Sequence, residues 1–140
     1  MIVLDTNVIS EPMRAEPDDA VLNWLNEQID RALFTTSVTV LKLRFGVERL
    51  PEGKRKTNLW DVLDFTLLRL VGQRILPFDT AAAMECARIA AQAEAGGTPI
   101  GQADAQIAAI ARTHQFAIAT RDIVPFKQAG LTVINPWESG

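Results

Sequence analysis

Short apolar segments of strand character alternate with amphipathic helical segments along this chain, and that alternation limits the possible folds more than any other feature. The connections between the apolar segments suit right-handed crossovers between parallel strands. We therefore predict a three-layer α/β/α sandwich around a mainly parallel five-stranded sheet, formed as a single domain of residues 1–140. The five predicted strands are MIVLD, ALFTTS, RILPFD, FAIATRD and LTVINPW.

Local signals predict where the helices begin and end. One helix follows Pro17, and an alanine-rich helix is capped by Asp79 and ends at EAGG. A long helix through LWDVLDFTLLRLV stops at Gly72, after a polar loop at residues 51–58. The segment GQADAQIAAIARTH predicts a further helix.

The segment TSVTVLKLRFGVERL, residues 36–50, is predicted to enter a helix that Ser37 caps. With that cap, four residues at positions i, i+3, i+4 and i+7 form an apolar stripe that includes a lysine; they are Val38, Leu41, Lys42 and Phe45. An ammonium group on a buried face needs a partner. We therefore expect carboxylates near Lys42.

The overall charge and the cysteine content exclude several classes of protein. A net charge of −3 and a pI of about 5.1 argue against general electrostatic attraction to nucleic acid. The basic run at residues 54–56 is interpreted as solvated loop surface, with a phosphate-contacting patch as the alternative. The single cysteine, Cys86, excludes a disulfide framework and is predicted to be a buried structural thiol. The short apolar run at the start and the early aspartate predict no signal peptide or membrane anchor, hence a cytoplasmic protein.

Three aspartates are predicted to meet at one edge of the sheet. Asp5 directly follows MIVL and Asp122 directly follows AIATR, and ligands of open parallel sheets gather at the carboxyl ends of the strands. Asp104 shares a helix face with Ile107 and Ala108, where an acid is costly without a partner. Asp5 and Asp122 could each instead be a structural cap. Together, the three acids predict a hard cation with oxygen ligands, Mg²⁺ or Mn²⁺.

Other kinds of catalytic site find little support in the sequence. The only histidine, His114, ends a predicted helix, where interaction with the helix dipole explains it. Neither a Gly-x-Ser-x-Gly elbow nor a glycine-rich phosphate loop is present. The tryptophans Trp24, Trp60 and Trp137 are interpreted as core or interface anchors rather than as base-stacking platforms.

An ordered set of motifs covers essentially the whole chain. They are LDTNVISE, TSVTVLKLRFGVERLP, GQADAQIAAIA, ATRD and VINPW. In this order the motifs resemble those of PIN-domain proteins of the VapC toxin group, particularly its FitB-like branch. The resemblance implies a PIN-like fold and the function of a type II toxin, an Mg²⁺- or Mn²⁺-dependent endoribonuclease that cleaves RNA phosphodiester bonds and that a cognate antitoxin inhibits.

The resemblance also assigns roles to individual residues. The acidic, metal-binding site of the family corresponds to Asp5, Asp104 and Asp122. The supporting hydroxyl and amide groups correspond to Thr6, Asn7 and Thr120.

The chain departs from the family pattern at position 42, where Lys42 stands in place of the usual catalytic glutamate. Glu48 cannot easily replace that acid, because an offset of six residues turns it about 600° around the helix, onto another face.

The lysine alters the mechanism that the resemblance implies. In the full site, the carboxylates hold a divalent ion that activates a water for in-line attack on phosphorus, with Asp5 and Asp104 as primary ligands. Exchanging a carboxylate for an ammonium changes the local charge by two units, so we expect weakened or abolished activity. Our hypothesis is that Lys42 acts as an internal counter-ion at the metal position. The alternative is that Lys42 extends into solvent and the three aspartates still hold a metal.

Two other functions compete with this interpretation. One is a catalytically silent PIN-fold module that binds an antitoxin and nucleic acid, which the loss of one acid favours. The other is a receiver-like phospho-acceptor domain, which fits less well because the lysine lies on a helix after the second strand.

The resemblance further implies partners. It implies an RNA substrate, a homodimer to which the helix carrying Phe45 and Gly46 contributes, and toxin-antitoxin hetero-oligomers, with no membrane association. It also implies an antitoxin whose C-terminal segment can insert an arginine into the acidic pocket. Lys42 would repel that arginine.

Overall fold

A computed structural model describes residues 1–138 of the 140-residue chain. Five short strands alternate with seven α-helices. The strands are β1 (Ile2–Leu4), β2 (Leu33–Thr36), β3 (Ile75–Leu76), β4 (Ala117–Ala119) and β5 (Val133–Ile134). The helices are α1 (Thr6–Ser10), α2 (Asp19–Glu27), α3 (Ser37–Glu48), α4 (Lys54–Leu70), α5 (Thr80–Ala95), α6 (Gln102–His114) and α7 (Ile123–Gln128). Short 3₁₀ turns lie at Glu11–Met13, Asp30–Ala32 and Pro136–Glu138.

The strands form one sheet in the order β3-β2-β1-β4-β5, and every strand pair is parallel. The central strand β1 pairs with β2 on one side, Ile2 opposite Leu33, and with β4 on the other, Leu4 opposite Ala119. All carboxyl ends therefore lie along one edge. The predicted parallel α/β fold is confirmed.

Two hydrophobic clusters cover the two faces of the sheet. Neighbouring residues of β4 point to opposite faces, and accordingly Ala119 belongs to the first cluster and Ile118 to the second. The first cluster is built with α1, α2 and α4 and the second with α5, α6 and α7. The sheet is thus the middle of three layers.

Most of the predicted helix ends are confirmed. Asp18 caps α2 by accepting from the amide of Ala20, and Asp79 caps α5 by accepting from the amide of Ala82 at 2.9 Å. Gly72 follows α4 with a φ of 58°, a left-handed conformation that glycine adopts without strain.

The cap of α3 was predicted one residue too late. Thr36 is the cap, because its hydroxyl accepts from the amide of Thr39 at 3.1 Å. Ser37 is the first helical residue, and its hydroxyl accepts from the amide of Phe78 at 3.2 Å. Either hydroxyl could cap a helix, and the chain entering from β2 decided which one does.

The predicted loop at residues 51–58 is also too long, since α4 already begins at Lys54. Lys56 is buried, with 7% of its surface exposed, and not solvated. Its ammonium donates to the carboxylate of Glu52 at 2.8 Å and to the carbonyl of Glu48 at 3.0 Å. These contacts offset the cost of a buried cation near a helix N-terminus.

The apolar stripe predicted on α3 is not a buried face. Leu41 and Phe45 are 68% and 63% exposed, whereas α3 buries Val38, Thr39 and Val47. Lys42 is exposed as well. The buried face is therefore rotated from the predicted stripe, which the sequence periodicity alone did not reveal.

The remaining structural expectations are met in part. Trp24 is buried in the first cluster, and Trp60 and Trp137 pack against it while partly exposed. Cys86 is only half-buried, and its partial burial raises the pKa of the thiol. Across residues 1–138, none of the helices is both long enough and apolar enough to cross a membrane.

Candidate functional site

Asp5 lies at the junction of the central strand β1 and helix α1, where it is 4% exposed. One carboxylate oxygen, Oδ1, accepts from the amide of Thr6 at 2.8 Å. The other, Oδ2, accepts from the hydroxyl of Thr120 at 2.7 Å. Because each oxygen accepts one hydrogen bond, each keeps a lone pair free for another ligand.

Thr120 directly follows the neighbouring strand β4 and is fully buried. Its hydroxyl donates to Asp5 and accepts from the amide of Asp122 at 2.9 Å and from the side-chain nitrogen of Asn7 at 3.5 Å. A hydroxyl offers one donor and two acceptor lone pairs, so its hydrogen-bonding capacity is complete. Thr120 therefore fixes Asp5 and the backbone of Asp122 relative to each other.

Asn7 reinforces the same connection from helix α1. Its side-chain oxygen accepts from the amide of Arg121 at 3.3 Å, while its nitrogen donates to Thr120. The turn after β1 and the turn after β4 are thereby joined by side-chain hydrogen bonds, next to the strand pairing of Leu4 with Ala119.

Asp104 reaches the site from the first turn of α6. The face of α6 below it is fully buried at Ile107, Ala108 and Ala111, which fixes the rotation of the helix. Asp104 itself is half-buried.

Asp122 occupies the cap position of α7, yet its exposed side chain makes no capping hydrogen bond. The structural-cap alternative therefore does not describe this carboxylate, whereas Asp5 does hold the cap position of α1, where its side chain accepts from the amide of Thr6.

The pKa values show that the three carboxylates interact. Burial is the main cause that raises the pKa of Asp104 above its ordinary value, and the charges of Asp5 and Asp122 raise it further. Burial also raises the pKa of Asp5, and Asp122 adds to that effect, while the hydrogen bonds from Thr120 and Thr6 oppose it. The site thus concentrates negative charge that its own hydrogen bonds only partly stabilise.

Lys42 is the cation that acts on this cluster. Its charge lowers the pKa of both Asp5 and Asp104. Lys42 belongs to α3, and its side chain is exposed. Among the ion pairs of residues 1–138 there is none that involves Lys42.

Glu48 lies away from the acidic cluster, as its helix position predicts. Its carboxylate is 3.9 Å from the ammonium of Lys56. The site therefore contains no acid on α3.

The donor chemistry of the cluster fits a hard divalent cation, since it consists of carboxylate oxygens. The hydroxyl of Thr6, which follows Asp5 in the sequence, is buried and has no hydrogen-bond partner among the described residues. In the described part of the chain, however, no three Asp, Glu, His or Cys side chains already stand close enough together to hold a metal ion.

The structure also shows contacts that the sequence analysis missed. The guanidinium of Arg121 lies 5.0 Å from the ring centroid of Trp137, beside the site. Glu11 is a buried acid, 4% exposed, at the far end of α1. The motifs ATRD, VINPW and LDTNVISE contain these residues, but nothing in their spacing indicates such contacts.

Comparison with known proteins gives consistent matches. The PIN domain family matches residues 2–130. The chain is 50% identical over 138 residues to "VapC ribonuclease Y4jK" of Sinorhizobium fredii, covering 99% of each sequence. It is 44% identical to "Toxin FitB" of Neisseria gonorrhoeae, covering 98% of this chain and 99% of that one. The solved structure of FitAcB from Neisseria gonorrhoeae superposes with a TM-score of 0.91 at 43% identity, over 99% of both chains. The chain therefore belongs to the PIN-domain family, in the group that contains VapC and FitB.

Proposed function

We propose that this protein is the toxin of a type II toxin-antitoxin system, a metal-dependent endoribonuclease whose activity Lys42 weakens. One observation carries the proposal: three interacting aspartates lie at the carboxyl edge of the sheet, and a lysine acts on two of them. The names of the relatives, a VapC ribonuclease and the toxin FitB, support the activity and the role.

Asp5 and Asp104 would hold the ion, Mg²⁺ or Mn²⁺, with Asp122 acting through water. When bound, such an ion would supply Lewis-acid chemistry, polarising the phosphodiester and lowering the pKa of an attacking water. The raised pKa values of Asp5 and Asp104 support this assignment, because a cation relieves the repulsion that contributes to them.

The surrounding groups orient the ligands. Thr120 and the amide of Thr6 each donate to a different oxygen of Asp5, which fixes the plane of the carboxylate and leaves lone pairs for a ligand. The amide of Asp122 is bonded to the same Thr120 hydroxyl, so the two acids keep their relative positions.

Lys42 opposes cation binding at this site. At a separation of ~4 Å and an effective dielectric constant of ~20, two unit charges interact by about 4 kcal/mol, and the partial exposure of the site reduces that figure. A lysine that already interacts with Asp5 and Asp104 also competes with the cation for them. We therefore expect weak metal binding and weak cleavage by this chain.

The test is calorimetric titration of Mn²⁺ into the native chain and its Lys42→Glu variant, with RNA cleavage measured on the same samples. The expected result is tight binding and cleavage in the variant and little of either in the native chain. Lys54→Glu is the matched control, because it makes the same charge change at an exposed position in the first turn of α4. Equal binding and cleavage in the native chain and Lys42→Glu would overturn the inhibitory role of Lys42.

A second candidate is a PIN-fold module that binds an antitoxin and nucleic acid without cutting. The lysine at position 42, in place of the glutamate of the family pattern, favours it for the native chain. Absence of cleavage in Lys42→Glu despite tight Mn²⁺ binding would select this candidate.

The proposed partners are a cognate antitoxin, an RNA substrate and a second copy of the chain, acting in the cytoplasm. The structural relatives support the antitoxin, since one is titled FitAB bound to a DNA fragment and superposes with a TM-score of 0.91. Another, at 26% identity and a TM-score of 0.82, is VapBC2 from Rickettsia felis bound to a DNA fragment from their promoter. Exposed apolar side chains on α3 and α4 provide surface for protein partners; they are Leu41, Phe45, Phe65 and Leu68.

A further inference from the structure

Arg121 lies between two residues of the site, Thr120 and Asp122, and its side chain is exposed. Its amide donates to Asn7, which fixes the backbone. Within residues 1–138, its guanidinium forms no hydrogen bond or ion pair, and its one side-chain contact of note is the ring of Trp137 at 5.0 Å. The guanidinium donors are therefore free for a ligand.

The charge of Arg121 does not neutralise the buried acids. The pKa values of Asp5 and Asp104 are lowered by Lys42, whereas Arg121 contributes to neither. Its guanidinium instead lies over the ring of Trp137.

Trp137 provides a fixed support for this arginine. It packs against the first hydrophobic cluster, in the 3₁₀ turn that follows β5, and this turn contacts α2. Its amide donates to the side-chain oxygen of Asn135 at 3.0 Å. A guanidinium stacked on an aromatic ring is held in one plane while its edge donors stay available.

We propose that Arg121, supported by Trp137, binds a phosphate of the RNA strand next to the phosphodiester that the acidic cluster approaches. The inference rests on the proposed ribonuclease function. A planar guanidinium matches the geometry of phosphate oxygens, which it binds through paired hydrogen bonds. An acidic cleft repels the RNA backbone, so a cation at its edge is what positions the strand.

The test is RNA binding measured without cleavage, by fluorescence anisotropy of a labelled short single-stranded RNA in EDTA at several salt concentrations. Arg121→Ala should weaken binding about tenfold, and the slope of log affinity against log salt should fall by about 0.7 because one phosphate contact is lost. Arg121→Lys should keep the slope but bind more weakly than the native chain, since lysine has the charge without the planar fork.

Arg31→Ala is the matched control. Arg31 is also exposed, but it lies in the turn before β2, at the opposite edge of the sheet. If Arg121→Ala binds RNA with the same affinity and the same salt slope as Arg31→Ala, the inference is wrong. The proposed function would still stand if Lys42→Glu cleaves RNA. Failure of the native chain to bind RNA, together with no cleavage by Lys42→Glu, would overturn both.

Discussion

The two ends of helix α1 each carry a buried carboxylate, and the two are stabilised in different ways. Asp5 and Glu11 are both 4% exposed. Glu11 accepts from the guanidinium of Arg14 at 3.0 and 3.2 Å and from the amide of Asp18 at 2.9 Å. Asp5 accepts only from a hydroxyl and an amide, and two further acids lie near it.

This difference separates a structural acid from one that we propose is functional. The charge of Glu11 is matched by a cation three residues away, and its bond to Asp18 fixes the start of α2. At the Asp5 end, negative charge exceeds what neighbouring groups compensate, which burial makes costly. Excess charge of this kind is typical of binding and catalytic sites, which agrees with the metal site that we propose at this end of the helix.

The largest expected effect comes from removing the hydroxyl that supports Asp5. Thr120→Val keeps the side-chain shape but leaves Asp5 Oδ2 and the amide of Asp122 without their partner. We expect a loss of about 3 kcal/mol in the free energy of unfolding, measured by urea denaturation. Thr113→Val is the control, since that exposed hydroxyl bonds only to a carbonyl of its own helix, and it should cost less than about 0.5 kcal/mol. Equal losses in both variants would contradict the supporting role of Thr120.

Glu11→Gln tests the structural acid with a change that removes charge and keeps shape. The hydrogen bonds to Arg14 and Asp18 lose the carboxylate that makes them strong, so we expect destabilisation by about 1.5 kcal/mol in the same denaturation assay. Glu27→Gln, on the exposed end of α2, should change stability by less than about 0.5 kcal/mol. Unchanged stability in Glu11→Gln would show that its ion pair is dispensable.

Asp104→Asn makes the corresponding change in the functional cluster and should have the opposite sign. Because the pKa of Asp104 is raised, its ionised form is penalised in the folded state, and neutralising it should stabilise the protein at pH 7. In the native chain, Asp104 contributes stability below its unfolded pKa, near 3.8. This contribution is lost as the pH rises through the raised pKa of the folded state.

The gain in Asp104→Asn should therefore disappear when thermal unfolding is measured below pH 3.8. Asp61→Asn, an exposed position on α4, should show no gain at any pH. If Asp104→Asn instead destabilises the protein, the acidic cluster around Asp5 is structural, like Glu11 at the other end of α1.

Much of the fold follows from local sequence. Asp18, Asp79 and Gly72 end or begin helices where the pattern predicts, because each acts on its own backbone within a few residues. The error at the start of α3 arose where a distant residue decided the outcome, since the hydroxyl of Ser37 accepts from the amide of Phe78, 41 residues away. Lys56 is buried through nearer contacts, with Glu52 four residues and Glu48 eight residues before it.

The location of the site was also predictable from the sequence, but its side-chain contacts were not. Asp5 and Asp122 follow apolar strands, and parallel strands bring their carboxyl ends together, so the sequence indicated their common edge. The role of Thr120 as a three-way partner depends on the relative positions of two segments, after β1 and after β4, and could not be derived from spacing. The same holds for the stacking of Arg121 on Trp137.

The sequence by itself determined which chemical groups are present, where the strands and most helices lie, and that a lysine occupies position 42 among acids. Only the tertiary structure decided which charges are compensated. Glu11 has Arg14 three residues after it, but the sequence around Asp5 does not show which distant charges surround that buried acid. The difference arises because electrostatic energies depend on distances between residues far apart in sequence, such as Asp5 with Asp122 and Lys42 with Asp104.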